Sequence, residues 1–378
     1  MIYLDYAAST PVRKEVRKVV ARMGKYFANP SSKHDAGNRA QWMIDGARKE
    51  IKQLLNAKEN DKLIFTSSGT ESINLALKGV AFANKKKGNH IITSKIEHKA
   101  VLETCRYLEQ EGFAVTYLDV DQFGRVNPKD VEKAITKKTI LISIMYANNE
   151  VGTIQPIKEI AAIARKKKVL FHTDACQAGY LDLDIQRLGV DLLTLNSNKI
   201  YGPKGAGLLY VREGVKIQPL IHGGGQEFGL RSGTENVPAI AGFAKALELA
   251  QKEKQQENKR LQELRDYFLS KIMKRIPNTF LNGHPMERLL GNVHLSFEGV
   301  EAETVLPYLN QKDIFASAGS ACTANEIQVS HVLKAMKVPE DLARGSIRFS
   351  LGMYTNKEDV DKGVKALAEI VASLRKVS

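Results

Sequence analysis

Short apolar segments alternate with longer amphipathic segments between about residue 60 and residue 215 of this 378-residue chain. The apolar segments predict strands at residues 62–66, 90–94, 114–118, 139–145, 170–174 and 191–195. The amphipathic segments predict helices at residues 71–84, 100–111, 129–134 and 157–167. Strands separated by helices of this length are joined by right-handed crossovers, which give a mostly parallel sheet with helices on both faces. The pattern therefore predicts an α/β fold.

The pattern changes after about residue 237. A long helix is predicted over residues 238–273, and short strands follow at residues 292–297, 315–316 and 347–350, separated by helices. This mixture is typical of an α+β unit. We therefore expect a large domain over residues 16–250 and a smaller domain formed by residues 1–15 and 251–378.

The composition indicates a globular protein with a strongly basic charge. Hydrophobic residues make up 43% of the chain, and the formal net charge is +14. The basic runs at residues 85–87 and 166–168 lie within or at the ends of amphipathic helical segments, so solvated helix faces explain them better than an RNA-binding groove. No apolar run approaches the roughly 20 residues that a membrane span needs, and the first residues lack the features of a signal peptide. We expect a cytoplasmic protein without direct nucleic-acid or membrane binding.

Residues 65–71, with the sequence Phe-Thr-Ser-Ser-Gly-Thr-Glu, end one predicted strand and open a helix. A helix N-terminus presents free backbone N–H groups and the positive end of the helix dipole, so this turn could hold a phosphate. An ordinary helix cap would use the same residue types, and the segment alone does not decide between the two.

Asp174 is the last residue of one predicted strand, and Lys199 lies four residues after the end of another. Ligands of open parallel sheets bind at the carboxyl ends of the strands, which is where both residues fall. A carboxylate at Asp174 could either cap a helix or keep a pyridine nitrogen protonated, and the second role requires a lysine that forms a Schiff base. Lys199 precedes the turn Ile-Tyr-Gly-Pro-Lys-Gly, whose glycine and proline would hold it in a fixed position.

Three cysteines, Cys105, Cys176 and Cys322, are too few and too scattered for a disulfide framework. We interpret Cys105 and Cys176 as buried structural residues. Cys322 lies among small residues that offer no packing anchor, and we expect a mobile loop over about residues 317–330. Such a loop would let one thiol meet a substrate and then a distant acceptor.

Taken together, eight motifs closely resemble the cysteine desulfurases of iron–sulfur cluster assembly, over residues 2 to about 375. The motifs are Tyr3-Leu4-Asp5-Tyr6-Ala7-Ala8, Ser68-Gly69-Thr70-Glu71, Glu97-His98, Asn148-Asn149-Glu150, Asp174-Ala175-Cys176-Gln177, Lys199-Ile200-Tyr201-Gly202-Pro203-Lys204-Gly205, Arg231-Ser232-Gly233-Thr234 and Gly319-Ser320-Ala321-Cys322. The resemblance implies the fold of type I pyridoxal-phosphate (PLP) enzymes and a homodimer. The length from Gly319 to His331 is similar to that of the family's long-loop group.

The resemblance implies a PLP site built around a Schiff base on Lys199. Asp174 would face the ring nitrogen, and His98 would stack on the ring and transfer protons. The phenolic oxygen would be approached by Asn149 and Gln177. The phosphate would be held by Gly69 and Thr70 of the same subunit and by Thr234 of the other subunit. Asn196 and Asn198 stand where the family commonly has a serine and a histidine, so the phosphate contact would lack the histidine's charge.

The same resemblance implies a reaction in which L-cysteine becomes L-alanine and its sulfur moves to Cys322 as a persulfide. Arg348 would bind the substrate carboxylate, with Asn29 nearby. An iron–sulfur scaffold protein would then accept the sulfur, and Cys322 could serve as a shared cluster ligand when the scaffold is bound. Three alternatives remain open: a PLP aminotransferase or lyase without a cysteine nucleophile, a silent scaffold-binding homologue, and delivery of sulfur to tRNA thiolation.

Overall fold

The computed structural model describes residues 1–319 and 329–376. A seven-stranded sheet forms its centre, with the strand order β2-β8-β7-β6-β5-β3-β4. All neighbouring strands are parallel except at β8, which is antiparallel to both β2 and β7. The strands are β2 (Lys62–Thr66), β3 (His90–Ser94), β4 (Ala114–Leu118), β5 (Thr139–Ser143), β6 (Leu170–Asp174), β7 (Leu192–Asn196) and β8 (Gly207–Val211).

Helices cover both faces of this sheet because its strands direct apolar side chains alternately to the two sides. Ile91 and Leu192 pack with α3 and α4, whereas Ile92 and Leu193 pack with α2, α6 and the first half of α8. The helices of this region are α1 (Lys14–Met23), α2 (Asp35–Leu54), α3 (Gly69–Asn84), α4 (Lys99–Gln110), α5 (Pro128–Ala134), α6 (Ile157–Lys167), α7 (Ile185–Leu188) and α8 (Val237–Arg275).

A second core surrounds two small sheets. Strand β10 pairs antiparallel with β9 and β12, and β1 pairs parallel with β11. The second half of α8 packs here, through Leu264 and Phe268 among others. The remaining elements are β1 (Ile2–Tyr3), β9 (Thr279–Leu281), β10 (Asn292–Phe297), α9 (Ala302–Gln311), β11 (Ile314–Phe315), α10 (His331–Ala335), α11 (Glu340–Arg344), β12 (Ser346–Ser350) and α12 (Lys357–Leu374). Among the described residues, no helix, α8 included, is long and apolar enough to cross a bilayer.

The predicted α/β architecture is confirmed, although α1, α2 and α7 were not predicted and several elements differ from the prediction by one or two residues at their ends. Helix α3 begins at Gly69, two residues early, because the Ser68 side chain caps it by accepting from the Glu71 N–H. Strand β5 ends at Ser143, because the Met145 N–H donates to Glu97 instead of continuing the sheet. Strand β8 was not predicted. The predicted domain boundary at residues 250/251 stays a prediction, and it falls inside α8.

Candidate active site

A cavity of about 140 Å³ opens where β6 and β7 end. Its wall brings together nine of the residues predicted from sequence, which come from five separate stretches of the large sheet's connections and from β12. They are Gly69, Thr70, His98, Asn149, Asp174, Gln177, Asn196, Lys199 and Arg348. Parallel strands place their carboxyl ends at one edge of the sheet, which is why residues so distant in sequence meet there.

Lys199 is the last residue of a single 3₁₀ turn, Ser197–Lys199, that follows β7 directly. Its Nζ donates to the carbonyl oxygen of Ala7 at 2.8 Å and to that of Ala8. The turn itself is fixed by Thr10, whose backbone N–H donates to the Asn198 carbonyl and whose Oγ1 accepts from the Tyr201 N–H at 2.8 Å. The amine therefore projects from a rigid backbone into the cavity.

Asp174 ends β6 and is only 6% exposed. Its Oδ1 accepts a hydrogen bond of 3.0 Å from the Cys176 N–H, which orients the carboxylate at the cavity wall. Burial lowers the pKa of the neighbouring His98, and the charge of this carboxylate partly opposes that lowering. A buried carboxylate in this position can hold a cationic ring nitrogen.

His98 caps α4 with its own ring. Its Nδ1 accepts from the Ala100 N–H at 3.1 Å, so this nitrogen carries no proton. Burial lowers the pKa of His98, while Asp174 acts in the opposite direction and Lys199 adds to the lowering. A neutral imidazole whose Nδ1 is an acceptor carries its proton on Nε2. His98 therefore presents a donor, not a base, to its surroundings.

The N-terminus of α3 forms one end of the cavity. Gly69 and Thr70 occupy its first turn, where backbone N–H groups have no carbonyl partner within a helix. A Cβ atom at Gly69 would lie 2.6 Å from Cys176 Sγ and 3.5 Å from Asn196 Nδ2, so the amide of Asn196 approaches the same turn. These donors and the helix dipole suit an anion such as a phosphate.

Arg348 also lines the cavity and is 2% exposed. Its Nη2 donates to Asp5 Oδ1 at 2.8 Å, and its Nη1 donates to the Asn149 carbonyl at 3.0 Å. Its Nε is buried and has no hydrogen-bond partner among the described residues. Since a buried polar group is normally paired, this donor fits an anion bound in the cavity.

Four predicted site residues do not line this cavity. Asn29 is exposed, and its side-chain oxygen accepts a hydrogen bond from the Ser31 N–H. Thr234 is also exposed, and it lies three residues after Arg231, whose guanidinium pairs with Glu71 of α3. Asn198 directs its backbone carbonyl to Thr10, and its Oδ1 is buried without a partner in the described part of the chain. Cys322 lies outside the described residues.

Cys176 corrects the sequence interpretation, which took it for a buried structural residue like Cys105. Cys105 is indeed buried between helices and sheet, but Cys176 is partly exposed and lines the cavity beside Asp174. Ala7, Ala8 and Met145 are further wall residues that the sequence reasoning missed. The sequence did contain a signal that Cys176 lines the cavity, because it lies two residues after Asp174.

Known proteins are similar to this chain over its whole length. Residues 2–362 match the family Aminotransferase class-V. A "Cysteine desulfurase IscS" of Dictyoglomus turgidum is 52% identical over 100% of this chain and 96% of that protein. The chain belongs to the cysteine desulfurase family. A solved "NifS-like protein" is 39% identical with a TM-score of 0.92, covering 98% of this chain and 99% of the other.

A second solved structure, "SspA in complex with cysteine", is 39% identical with a TM-score of 0.84, covering 94% of this chain and 100% of that one. Membership in the cysteine desulfurase family confirms the resemblance found in the sequence, and with it the predicted fold class. Enzymes of the class-V family depend on PLP.

Proposed function

We propose that this chain is a PLP-dependent enzyme that converts L-cysteine to L-alanine and transfers the sulfur to Cys322 as a persulfide. The observation that carries the proposal is the presence of Lys199, Asp174 and Arg348 in one cavity wall. The three side chains supply an amine, a carboxylate and a guanidinium, which are the groups needed to hold an aldehyde cofactor, its ring nitrogen and a carboxylate substrate.

The cavity suits PLP at three points. Lys199 would hold the aldehyde carbon as a Schiff base, Asp174 would hold the ring nitrogen, and the α3 turn at Gly69 and Thr70 would hold the phosphate. Asn149, Gln177 and the Asn196 amide add neutral donors around it. When bound, PLP supplies an electron sink for the carbanion formed at the Cα of the amino acid.

Arg348 would bind the carboxylate of L-cysteine through the Nε donor that lacks a partner among the described residues. Its ion pair with Asp5 and its bond to the Asn149 carbonyl fix the guanidinium plane before substrate arrives. A planar, preorganised cation holds a carboxylate in one orientation. The Cα hydrogen of the substrate is thereby presented to a defined part of the wall.

Lys199 and His98 would divide the proton transfers between them. The Lys199 amine, fixed by its turn, would take the Cα proton once the substrate is bound. His98 would donate from Nε2, because its Nδ1 is occupied by the Ala100 N–H. This assignment makes Lys199 the base and gives His98, which the resemblance implies in proton transfer, the role of proton donor.

We assign the role of sulfur acceptor to Cys322, because the surroundings of the other two cysteines disfavour their thiolates. Burial raises the pKa of the Cys105 thiol, and burial with the neighbouring Asp174 raises that of Cys176 well above its usual value. A thiol kept protonated is a poor nucleophile. The Cys322 thiolate would attack the substrate sulfur, so that an S–S bond forms as the Cβ–S bond breaks. The electron pair of the broken bond would remain with the three-carbon fragment, which takes up protons at Cβ and Cα and leaves as L-alanine.

The same proposal includes a homodimer, an iron–sulfur scaffold as the sulfur acceptor, and a cytoplasmic location. It also places Thr234 at the phosphate of the other subunit. Thr234 is exposed in its own chain, and its loop is tied to the start of α3 by the ion pair of Arg231 Nε with Glu71 Oε1 at 2.8 Å. The loop is thus fixed to its own chain through Arg231, while Thr234 is exposed and available to a second subunit.

The experiment is alanine production from L-cysteine by the PLP-loaded protein. We expect Cys322→Ala to abolish sulfur-dependent turnover, while the matched variant Cys105→Ala retains it. Lys199→Ala should lose both turnover and the borohydride-reducible link to PLP, which distinguishes a decayed, silent homologue from an enzyme. Normal alanine release by Cys322→Ala would refute the proposal in favour of a lyase without a cysteine nucleophile.

A further inference from the structure

The first turn of α3, where the proposed function places the cofactor phosphate, carries a carboxylate. Glu71 follows Gly69 and Thr70 directly and is the third residue of the helix. Its Oε2 accepts from the Ser67 N–H at 2.7 Å and from Ser67 Oγ at 2.5 Å, so the side chain is folded back toward the residues that precede the helix. The positive end of the helix dipole stabilises such a carboxylate. A phosphate bound at the same turn would share that dipole and be repelled by the charge of Glu71.

Arg231 compensates this charge from a distant part of the sequence. Its Nε donates to Glu71 Oε1 at 2.8 Å, and its Nη2 lies 3.5 Å from Oε2. The pair is largely shielded from water, with side-chain exposures of 17% for Glu71 and 23% for Arg231. Burial acts to raise the pKa of Glu71, but the hydrogen bonds from Arg231 and Ser67 outweigh it and the pKa is lowered. Glu71 is therefore ionised at neutral pH, and Arg231 makes the pair neutral as a whole.

The cavity wall around this turn is formed by neutral residues. They are Gly69, Thr70, Cys176 and Asn196. The amide of Asn196 and the N–H groups of the helix can donate hydrogen bonds to a phosphate, but they do not offset the charge of a carboxylate beside it. Arg231 therefore determines whether the turn as a whole is neutral or negative.

We propose that Arg231 is a positioning residue for the phosphate of PLP. It acts through Glu71, whose charge it neutralises and whose side chain it holds in place, so that the positive end of α3 is left to the phosphate. This inference rests on the proposed function, which places PLP in the cavity. Its consequence is selectivity, because pyridoxal has the same aldehyde and ring nitrogen as PLP but no phosphate for the turn to bind.

The affinity for PLP should follow the net charge of the pair. Arg231→Gln leaves Glu71 uncompensated, and we expect the dissociation constant of PLP to rise roughly three- to tenfold. Glu71→Gln keeps an acceptor for the Ser67 N–H and leaves the charge of Arg231 in place, so it should bind PLP more tightly than wild type. The double variant is neutral again and should return close to the wild-type affinity.

The measurement is a titration of the full chain, freed of cofactor, with PLP and with pyridoxal, followed by the absorbance of the Schiff base on Lys199. The affinity for pyridoxal should be the same in wild type, the two single variants and the double variant. Arg231→Lys keeps the charge and should retain most of the PLP affinity. The matched control Arg212→Gln removes an ion pair of 2.6 Å with Asp191, which lies at the opposite end of β7 from the cavity, and should change neither affinity.

Three results would overturn the proposal. The first is wild-type PLP affinity in Arg231→Gln, and the second is weaker PLP binding by Glu71→Gln than by wild type. The third is an equal loss of PLP and pyridoxal affinity in Arg231→Gln, which would indicate a general structural role for the pair. If Arg231→Gln does not fold, Glu71→Gln still decides, because a purely structural pair predicts weaker binding and charge neutralisation predicts tighter binding.

Failure of this inference can be told apart from failure of the proposed function. If the expected order of PLP affinities is found but wild-type protein releases no alanine from L-cysteine, the proposed reaction fails and the role of Arg231 stands. If wild-type protein forms the persulfide on Cys322 but all variants bind PLP equally, the proposed function stands and the role of Arg231 fails.

Discussion

Glu97 is a fully buried carboxyl group that joins three segments around the candidate site. Its Oε1 accepts from Ser94 Oγ at 2.6 Å and from the Met145 N–H at 3.0 Å, and its backbone carbonyl bonds His331. Burial raises the pKa of Glu97 from 4.5 to about 8. The group is therefore largely protonated at neutral pH in the folded protein, where it positions the turn that carries His98.

The Glu97 carboxyl should make stability depend on pH. Between pH 4.5 and about 8 the unfolded chain has lost this proton while the folded chain keeps it, so wild-type stability falls as pH rises through this window. Glu97→Gln has no titrating carboxyl at this position, so this contribution to the pH dependence of stability is absent. We expect the free energy of unfolding of Glu97→Gln, relative to wild type, to rise between pH 5 and 8 in denaturant titrations. A difference that stays constant or falls would contradict the neutral carboxyl.

The contact between Gly69 and Cys176 should be detectable by substitution. A Cβ in Gly69→Ala would lie 2.6 Å from Cys176 Sγ, and overpacking of this kind costs about 1–3 kcal/mol of stability. Cys176→Ala removes the sulfur, so the double variant should lose less stability than the sum of the single variants. Thermal unfolding of the four proteins measures this coupling, and strict additivity would refute the contact.

The residues of the site were predictable where a motif follows a buried strand. Asp174 and Lys199 occupy strand ends, and the turn after each strand leaves one direction for the side chain. Asn198 lies in the middle of the 3₁₀ turn Ser197–Lys199 and does not line the cavity, and its predicted contact with the phosphate stays a prediction. Cysteine is usually a core residue, which is why Cys176 was interpreted as buried, but its position beside Asp174 places it at the cavity wall. Asn29 and Thr234 are exposed and do not line the cavity, so their predicted roles stay predictions.

At the scale of elements, periodicity predicted β3, β4 and β5 because each of these parallel strands is followed by an amphipathic helix. Strand β8 lacks that signal, since it returns antiparallel from β7 without a helix between them, and its five residues are all buried. The residue at which a helix begins can depend on a single hydrogen bond from a capping side chain. Ser68 extends α3 by two residues, and no hydrophobic pattern contains that information.

Helix α12 offers a test of such a terminal signal. Asn356 Oδ1 accepts from the Asp359 N–H and Asp359 Oδ2 accepts from the Asn356 N–H, each at 3.0 Å, in a capping box. Asn356→Ala should lower the free energy of unfolding by about 1 kcal/mol. The matched control is Asn38→Ala at an exposed position inside α2, which should cause no loss because alanine favours helix. Equal losses in both would contradict the capping role.

At the scale of the whole molecule, the N-terminal segment joins the two cores at the site. Leu4 packs in the second core, Asp5 pairs with Arg348, and the Ala7 carbonyl accepts from Lys199. The sequence pattern predicted that the N-terminal residues accompany the smaller unit. It could not show that their backbone carbonyls contact the lysine, because such contacts follow from tertiary packing alone.

The central claim is that sulfur leaves L-cysteine in this cavity and arrives on Cys322. It is tested most directly by peptide mass analysis after the PLP-loaded protein is mixed with L-cysteine in the absence of an acceptor. We expect the peptide that contains Cys322 to gain the mass of one sulfur atom, in proportion to the alanine released, while the peptides with Cys105 and Cys176 stay unchanged. Alanine release with no added sulfur on Cys322, or with the sulfur on Cys176, would contradict the account.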